Sequence, residues 1–325
     1  MSKSLIKWGM IGCGSVTEKK SGPAFNQVAN SRLEAVMRRD QEKLQDYATR
    51  HQITKFTTNA DEVINDPEVD AIYIATPPDT HKEYALKVAA ANKICCVEKP
   101  MALNYQECQQ MVEAFNEINK PLFVSYYRRS LPRFNHVKSL IESGQIGEVR
   151  HVRWDFSRQP NKLDLNREYN WRTVPSISGG GYFVDLASHG LDLFIYLLGD
   201  VEQVHGIKQN QQGLYEAEDA VTACWKHKSG ATGSGFWNFA ASEKNDTVTI
   251  YGSDGIINFS IFNEAEVQLQ SKNGQQSFII EHPDNIQYYH IDNMIQHIGG
   301  QATHPSTGEQ AMKVSWMMDQ ILSTD

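Results

Sequence analysis

The chain has 325 residues, 40% of them hydrophobic, and carries 31 Lys and Arg against 39 Asp and Glu, a formal net charge of -8. That length supports two domains with separate cores, and an acidic balance without a basic tail excludes a nucleic-acid face, which needs clustered Lys and Arg. The longest apolar stretches, such as Leu191 to Leu198, fall short of the roughly 20 residues that span a bilayer. Met1-Ser2-Lys3-Ser4 leads into an apolar run with no signal-peptide pattern, so a cytoplasmic protein without a membrane partner is expected.

The first half alternates strand-like and helix-like segments at the spacing of βαβ units, the signature of a parallel sheet. Strands read at Ile6 to Ile11, Leu33 to Met37, Ala71 to Ala75, Ile94 to Val97 and Leu122 to Ser125. Helices read at Gln41 to His51, Asp61 to Asn65, His81 to Ala91 and Tyr105 to Asn119, the last with Asn104 as its N-cap. The first strand feeds the glycine-rich turn Gly12, Cys13, Gly14, Ser15 and Val16, which predicts a nucleotide grip. Gly12 suits a tight strand-to-helix turn and Gly14 lets the backbone touch a pyrophosphate, whereas Thr17 stands where close packing usually wants Gly or Ala. Ser21-Gly22-Pro23 predicts an early end to the first helix and a second short one.

The second strand ends at Arg38, about 20 residues past the glycines, where the ribose is read. A carboxylate there suits the 2′-hydroxyl of NAD, while the forked donors of Arg38 and Arg39 suit a 2′-phosphate. The pair therefore favours NADP, with NAD the other possibility. The competing reading is two arginines in a solvated loop, and Asp40 is near enough to turn inward.

Two further segments lie at the carboxyl edge of this sheet, where ligands of such folds bind. The third strand runs into Thr76-Pro77-Pro78 and His81, and the fourth ends in Glu98-Lys99-Pro100. Lys99 is placed there to reach a substrate oxygen over the nicotinamide. Five cysteines show neither CxxC spacing nor an even disulfide framework, and the histidines form no HExxH pattern, so neither zinc nor another metal is expected.

From about Val149 the pattern becomes β-rich, with turn signals such as Ser253-Asp254-Gly255 and Asn273-Gly274 joining the runs. Eight strands read there: Val149 to Phe156, Val201 to Lys208, Asp219 to Lys226, Gly230 to Asn238, Asp246 to Gly252, Gly255 to Ser260, Ala265 to Gln270 and Gln276 to Glu281. They predict an open, mostly antiparallel sheet whose uncovered face suits a partner subunit. Helices near Gln287 to Ile298 and Ser306 to Leu322 close the chain. Within this half, Gly179-Gly180-Gly181 leads into a helix on which Asp185 and His189, at i and i+4, share a face. Such a pair tunes a histidine for proton transfer, and an ordinary helix-surface pair is the competing reading. Asp192 follows on roughly the same side. The expected architecture is α/β: a Rossmann dinucleotide-binding domain over 1–124, then a substrate-binding and oligomerisation α/β domain over 125–325.

Taken together, Gly12-Cys13-Gly14, Ala75-Thr76-Pro77-Pro78 with His81, Glu98-Lys99-Pro100, Trp171-Arg172, Gly179-Gly180-Gly181 and Asp185-x-x-x-His189 resemble the Gfo/Idh/MocA oxidoreductase family, over nearly the whole chain. The resemblance implies hydride transfer between a nicotinamide and a sugar, polyol, cyclitol or related carbonyl compound, in a homodimer or homotetramer. It implies that Lys99 binds and polarises the reacting oxygen, that His189 exchanges the proton and that Asp185 supports it. It places Glu98, Trp171 and Arg172 with the cofactor, and Tyr127 and Arg128 near the nicotinamide, although Tyr127 departs from the more usual Asn or Gln. Arg38 resembles the family's NADP-dependent members. Tyr126, Arg128, Arg158 and Tyr288 are expected to line a pocket from the second domain, their polarity suiting hydroxylated ligands or, for the arginines, an acidic one. An NAD-dependent glycoside hydrolase of the same family and a non-catalytic dinucleotide-binding regulator are the alternatives.

Overall fold

The structure, a computed structural model, describes residues 5–323. Those residues form two compact units: 5–130 with 283–312, and 131–282 with 313–323.

The first unit holds six parallel strands, β1 (Ile6–Ile11), β2 (Ser31–Met37), β3 (Lys55–Thr57), β4 (Ala71–Ile74), β5 (Ile94–Val97) and β6 (Leu122–Val124), in the order β3-β2-β1-β4-β5-β6. β1 and β4 are near-continuous apolar runs buried on both faces, as parallel strands covered by helices require. Between the strands lie α1 (Ser15–Lys19), α2 (Gly22–Gln27), α3 (Gln41–Arg50), α4 (Ala60–Ile64), α5 (His81–Ala90) and α6 (Tyr105–Glu117). The break between α1 and α2 falls where Ser21-Gly22-Pro23 predicts it, with Pro23 in the first turn of α2. Asp40, Asn59 and Asn104 cap α3, α4 and α6 by accepting from backbone N–H groups, each satisfying a donor that the helix leaves open. The sheet order reverses between β1 and β4, which sets a crevice at their carboxyl ends. Beneath it, Trp8, Phe25 and Tyr73 pack with ring centroids 5.0 and 5.1 Å apart.

The second unit is an eight-stranded sheet: β7 (Val149–Ser157), β8 (Val201–Gln209), β9 (Ala220–His227), β10 (Thr232–Asn238), β11 (Asn245–Gly252), β12 (Gly255–Phe259), β13 (Val267–Ser271) and β14 (Gly274–Phe278). Only β7 and β10 pair in parallel; the other ladders are antiparallel. Burial alternates along β9, with Ala223 and Trp225 inward and Thr222 and Cys224 outward, so one face is core and the other is open. Among its helices are α7 (Pro132–Glu142), α8 (Lys162–Leu165), α9 (Pro175–Ser178) and α10 (Ser188–Leu198). Trp154 is the centre of the core, with Trp237 at 5.5 Å and Phe194 at 5.9 Å, both edge-on.

Several features differ from the sequence reading, which gives no helix at α7, α8 or α9. β3 is an additional edge strand. The division follows Ser130 rather than residue 124, and residues 283–312 return to the first unit instead of staying in one block from 125 to 325. The return is driven by the helix Tyr288–Ile298, whose Ile291 and Met294 are fully buried in the core with Trp8 and Phe25. Finally, Phe183–Ala187 forms a π turn that runs into α10.

Candidate active site

At the carboxyl end of β1 the chain turns through Gly12, whose φ is +91°. A Cβ there would lie 2.9 Å from the backbone of Ala75, so only glycine fits. At Gly14 the nearest atom to an added Cβ is the Gly12 carbonyl oxygen at 3.7 Å, and no side chain caps α1. The turn thus presents an open backbone cradle of the kind that accepts a pyrophosphate, and the residues present fit a dinucleotide. Thr17 is fully buried, and its hydroxyl donates to the Gly14 carbonyl at 2.9 Å, which satisfies the polar group in the third position. Cys13 is buried, and that burial pushes its thiol up to about 11. Ser15 is exposed and Val16 half-buried at the start of α1.

Arg38 follows β2 and turns back toward this cradle: Nη1 donates to the Cys13 carbonyl at 3.0 Å. Arg39 is exposed. Asp40 is occupied as the cap of α3, accepting from the Lys43 amide at 3.1 Å and pairing with Lys43 Nζ at 3.0 Å. These bonds hold its carboxyl below the usual range.

Past β4, Thr76 and Pro77 lead into α5, and the fully buried His81 ties this loop to the one after β5. Its Nε2 faces the Thr76 carbonyl at 2.8 Å and its Nδ1 the Pro100 carbonyl at 3.0 Å. Burial lowers its pKa, against the opposing pull of the two carbonyls. Glu98, 8% exposed, accepts from the Tyr73 hydroxyl at 2.6 Å, from Gln287 Nε2 at 3.0 Å and from the Lys99 amide at 3.2 Å. Lys99 itself is half-buried. The first unit therefore brings Gly12, Cys13, Gly14, Arg38, Thr76, Pro77, His81, Glu98 and Lys99 to one carboxyl edge of one sheet. Tyr126, Tyr127 and Arg128 are buried just beyond β6, with the Arg128 guanidinium 5.0 Å from the Tyr127 ring centre. Tyr288 is half-buried on the returning helix. Tyr126, Arg128 and Tyr288 therefore belong to the first unit, a correction to their expected place in the second domain that follows from the return of residues 283–312.

In the second unit, Gly179, Gly180 and Gly181 all have positive φ and form the entry to the π turn. Asp185 lies within that turn and accepts from Arg172 Nε at 3.2 Å. The Arg172 guanidinium is in turn 4.4 Å from the Trp171 ring centre. His189, 5% exposed, lies past the turn on α10, edge-on to Phe262 at 5.7 Å. Asp185 and His189 thus flank a change of helical period, where i, i+4 spacing no longer has its α-helical geometry. Asp192 is fully buried. Arg158 stacks on Tyr182, 4.1 Å from its ring centre. The Tyr182 hydroxyl donates to the buried Asp164 at 2.7 Å and accepts from Asn170 Nδ2 at 2.7 Å. Asn170 also caps the turn that carries Trp171 and Arg172, its side chain accepting from the Arg172 amide at 3.2 Å. Tyr73, Gln287, Asp164 and Tyr182 are absent from the sequence-derived set. Tyr182 and Tyr73 lie beside the glycine run and the Thr76-Pro77 loop but read as packed aromatics, and Gln287 stands 189 residues from Glu98.

Among the described residues no group of three or more His, Cys, Asp or Glu side chains is placed to hold a metal ion, and no helix is long and apolar enough to cross a membrane.

Residues 6–126 match the model of the oxidoreductase family with an NAD-binding Rossmann fold, and residues 134–258 match the GFO/IDH/MocA C-terminal domain. "Oxidoreductase P35" of Formosa agariphila is 40% identical over 326 aligned residues, covering 99% of this chain and 100% of that protein. The 1,5-anhydro-D-fructose reductase of Ensifer adhaerens is 24% identical, covering 94% of this chain and 92% of its own. Among solved structures, levoglucosan dehydrogenase in complex with NADH and levoglucosan superposes with a TM-score of 0.88 at 23% identity, over 98% of this chain and 96% of its own. The glycine cradle, the Glu98-Lys99-Pro100 loop and both family matches together establish that the chain belongs to the Gfo/Idh/MocA family of NAD-binding oxidoreductases.

Proposed function

We propose that this protein is an NADP-preferring dehydrogenase or reductase acting on a hydroxylated small molecule, a sugar, polyol, cyclitol or the related carbonyl compound. The observation that carries the reading is the meeting of the glycine cradle and Lys99 at one carboxyl edge of the first sheet. When bound, the nicotinamide supplies the hydride chemistry, and the protein supplies position and electrostatics. The backbone of Cys13, Gly14, Ser15 and Val16 holds the pyrophosphate, with Thr76, Pro77, His81 and Glu98 shaping the adjoining loops.

Lys99 polarises the reacting oxygen, since an ammonium placed there favours negative charge that grows in the transition state. His189 exchanges the hydroxyl proton and Asp185 supports it electrostatically. Trp171 and Arg172 serve the cofactor, while Tyr127, Arg128 and Tyr288 contact substrate. Arg38 and Arg39 favour the 2′-phosphate, against the NADH that the levoglucosan dehydrogenase structure contains. The named substrates of that protein and of the anhydrofructose reductase are the reason for placing sugars first. The open face of the second sheet, with Phe236 at 41% and Ile207 at 70% exposure, supports a homo-oligomer.

The test is Lys99→Ala. Turnover on a panel of sugars and polyols should be lost while NADPH affinity stays within a few-fold of wild type. Normal turnover in that variant would overturn the assignment.

A further inference from the structure

The loop that carries Lys99 rests on a buried carboxylate whose partners are all donors. Glu98 accepts from the Tyr73 hydroxyl, Gln287 Nε2 and the Lys99 amide at 2.6, 3.0 and 3.2 Å. A neutral carboxylic acid needs an acceptor for its own proton, so this donor set fits the ionised form. Burial and the neighbouring Glu98 also raise the Tyr73 phenol well above its ordinary value, which keeps it a donor.

Gln287 is 1% exposed and arrives from far along the chain, just before the helix Tyr288–Ile298. Its own place is fixed by Asn285, whose Oδ1 accepts from the Gln287 amide at 3.2 Å while its Nδ2 donates to the Lys19 carbonyl at 3.1 Å. Lys19 is the last residue of α1, the helix that opens on the glycine cradle. A continuous hydrogen-bonded path therefore runs from α1 through Asn285, Gln287 and Glu98 to the backbone of Lys99. From the other side, His81 reaches the Pro100 carbonyl.

We propose that Gln287, acting through the ionised Glu98, is a positioning residue that sets Lys99 relative to the glycine cradle. The proposal rests on the reading of Lys99 as the group that polarises the reacting oxygen. The bond steadies the fold and, more sharply, the reaction, because small displacements of a reacting group cost rate steeply.

In Gln287→Met, which keeps the length and removes the donor, kcat should fall about 10- to 100-fold, with KM for NADPH within a few-fold and Tm lower by a few degrees, the cost of one buried charge-assisted bond. In the protein without cofactor, the Lys99 amide should exchange with solvent deuterium several-fold faster, since its acceptor has been loosened. Gln287→Glu, which sets a second carboxyl against Glu98 in place of a neutral donor, should lower kcat with KM for NADPH still within a few-fold, a split that a purely structural role does not give. Tyr73→Phe, which removes one hydroxyl, gives the same readouts should Gln287→Met fail to fold. Wild-type kcat and unchanged Lys99 exchange in these variants would overturn the proposal, and unchanged exchange alone does so even before a substrate is known. If Lys99→Ala keeps its turnover, the reading beneath fails; if Lys99→Ala is inactive while Gln287→Met is normal, only the positioning role fails.

Discussion

Arg38 is drawn to the glycine turn by one bond, from Nη1 to the Cys13 carbonyl, which uses one of the five N–H donors of a guanidinium. The acidic residue that would favour an unphosphorylated ribose, Asp40, is held elsewhere as the cap of α3 and by its ion pair with Lys43. A charge-assisted bond to a phosphate contributes about 1.5–3 kcal/mol, which is about 10- to 100-fold in affinity. Arg38→Asp should therefore weaken NADPH binding by about that factor and strengthen NADH binding, read in fluorescence titrations of both dinucleotides. Arg39→Ala, at an exposed position, should have the smaller effect. Equal affinity of the wild-type protein for the two would place Arg38 outside the phosphate site and make NAD the cofactor.

At the scale of elements, α10 approaches the second sheet closely enough to need a glycine. A Cβ on Gly190 would lie 2.3 Å from Cζ3 of Trp154. Alanine is favoured over glycine in a helix interior by about 1 kcal/mol, whereas forcing extra volume into a packed core costs about 1–3 kcal/mol. The second effect should win, because Trp154 is fully buried and pinned by its Nε1 bond to Asp246 at 3.0 Å. Gly190→Ala should thus lower stability by about 1–2 kcal/mol in urea unfolding, and a gain would mean that the indole moves aside. The sequence carries signals of unequal strength for these elements. β1, β4 and β5 are legible because parallel strands covered on both faces are apolar runs. β3 is three residues with only partial burial and carries no such signal. The loops that end β1, β4 and β5 are legible because their glycines, prolines and Lys99 are contiguous. The π turn at Phe183–Ala187 is not, since the apolar residues around it fit an α-helical period as well. Gln287 is invisible for another reason: its partner Glu98 is brought to it only by tertiary structure.

For the whole molecule, the return of residues 283–312 to the first unit explains both a misplaced boundary and a cluster of buried histidines that no local pattern predicts. His290 and His304 are each 1% exposed and stand edge-on at 4.8 Å, and His304 and His297 both meet Phe123. Burial pushes His290 down to about 3, His304 well below its ordinary value, and His297 lower as well. His81 in the same unit and His227 in the other are lowered by the same cause. A histidine whose folded pKa is depressed binds its proton more readily when unfolded. Its contribution is complete above the unfolded value of about 6.5 and is lost as pH falls from there toward the folded value. Each such group subtracts up to about 1.4 kcal/mol per pH unit across that window, so several together make the first unit acid-sensitive before its carboxylates titrate. Tm should accordingly be flat near pH 8 and fall steadily between about pH 6.5 and 5. His290→Leu isolates the contribution of one histidine. Nδ1 of His290 has no hydrogen-bond partner among the described residues, and its Nε2 faces only the Cys96 sulfur at 3.8 Å, so the substitution removes a titrating group at small cost in bonding. The variant should show a shallower fall in Tm over that pH range, and an unchanged slope would mean that the acid sensitivity arises elsewhere.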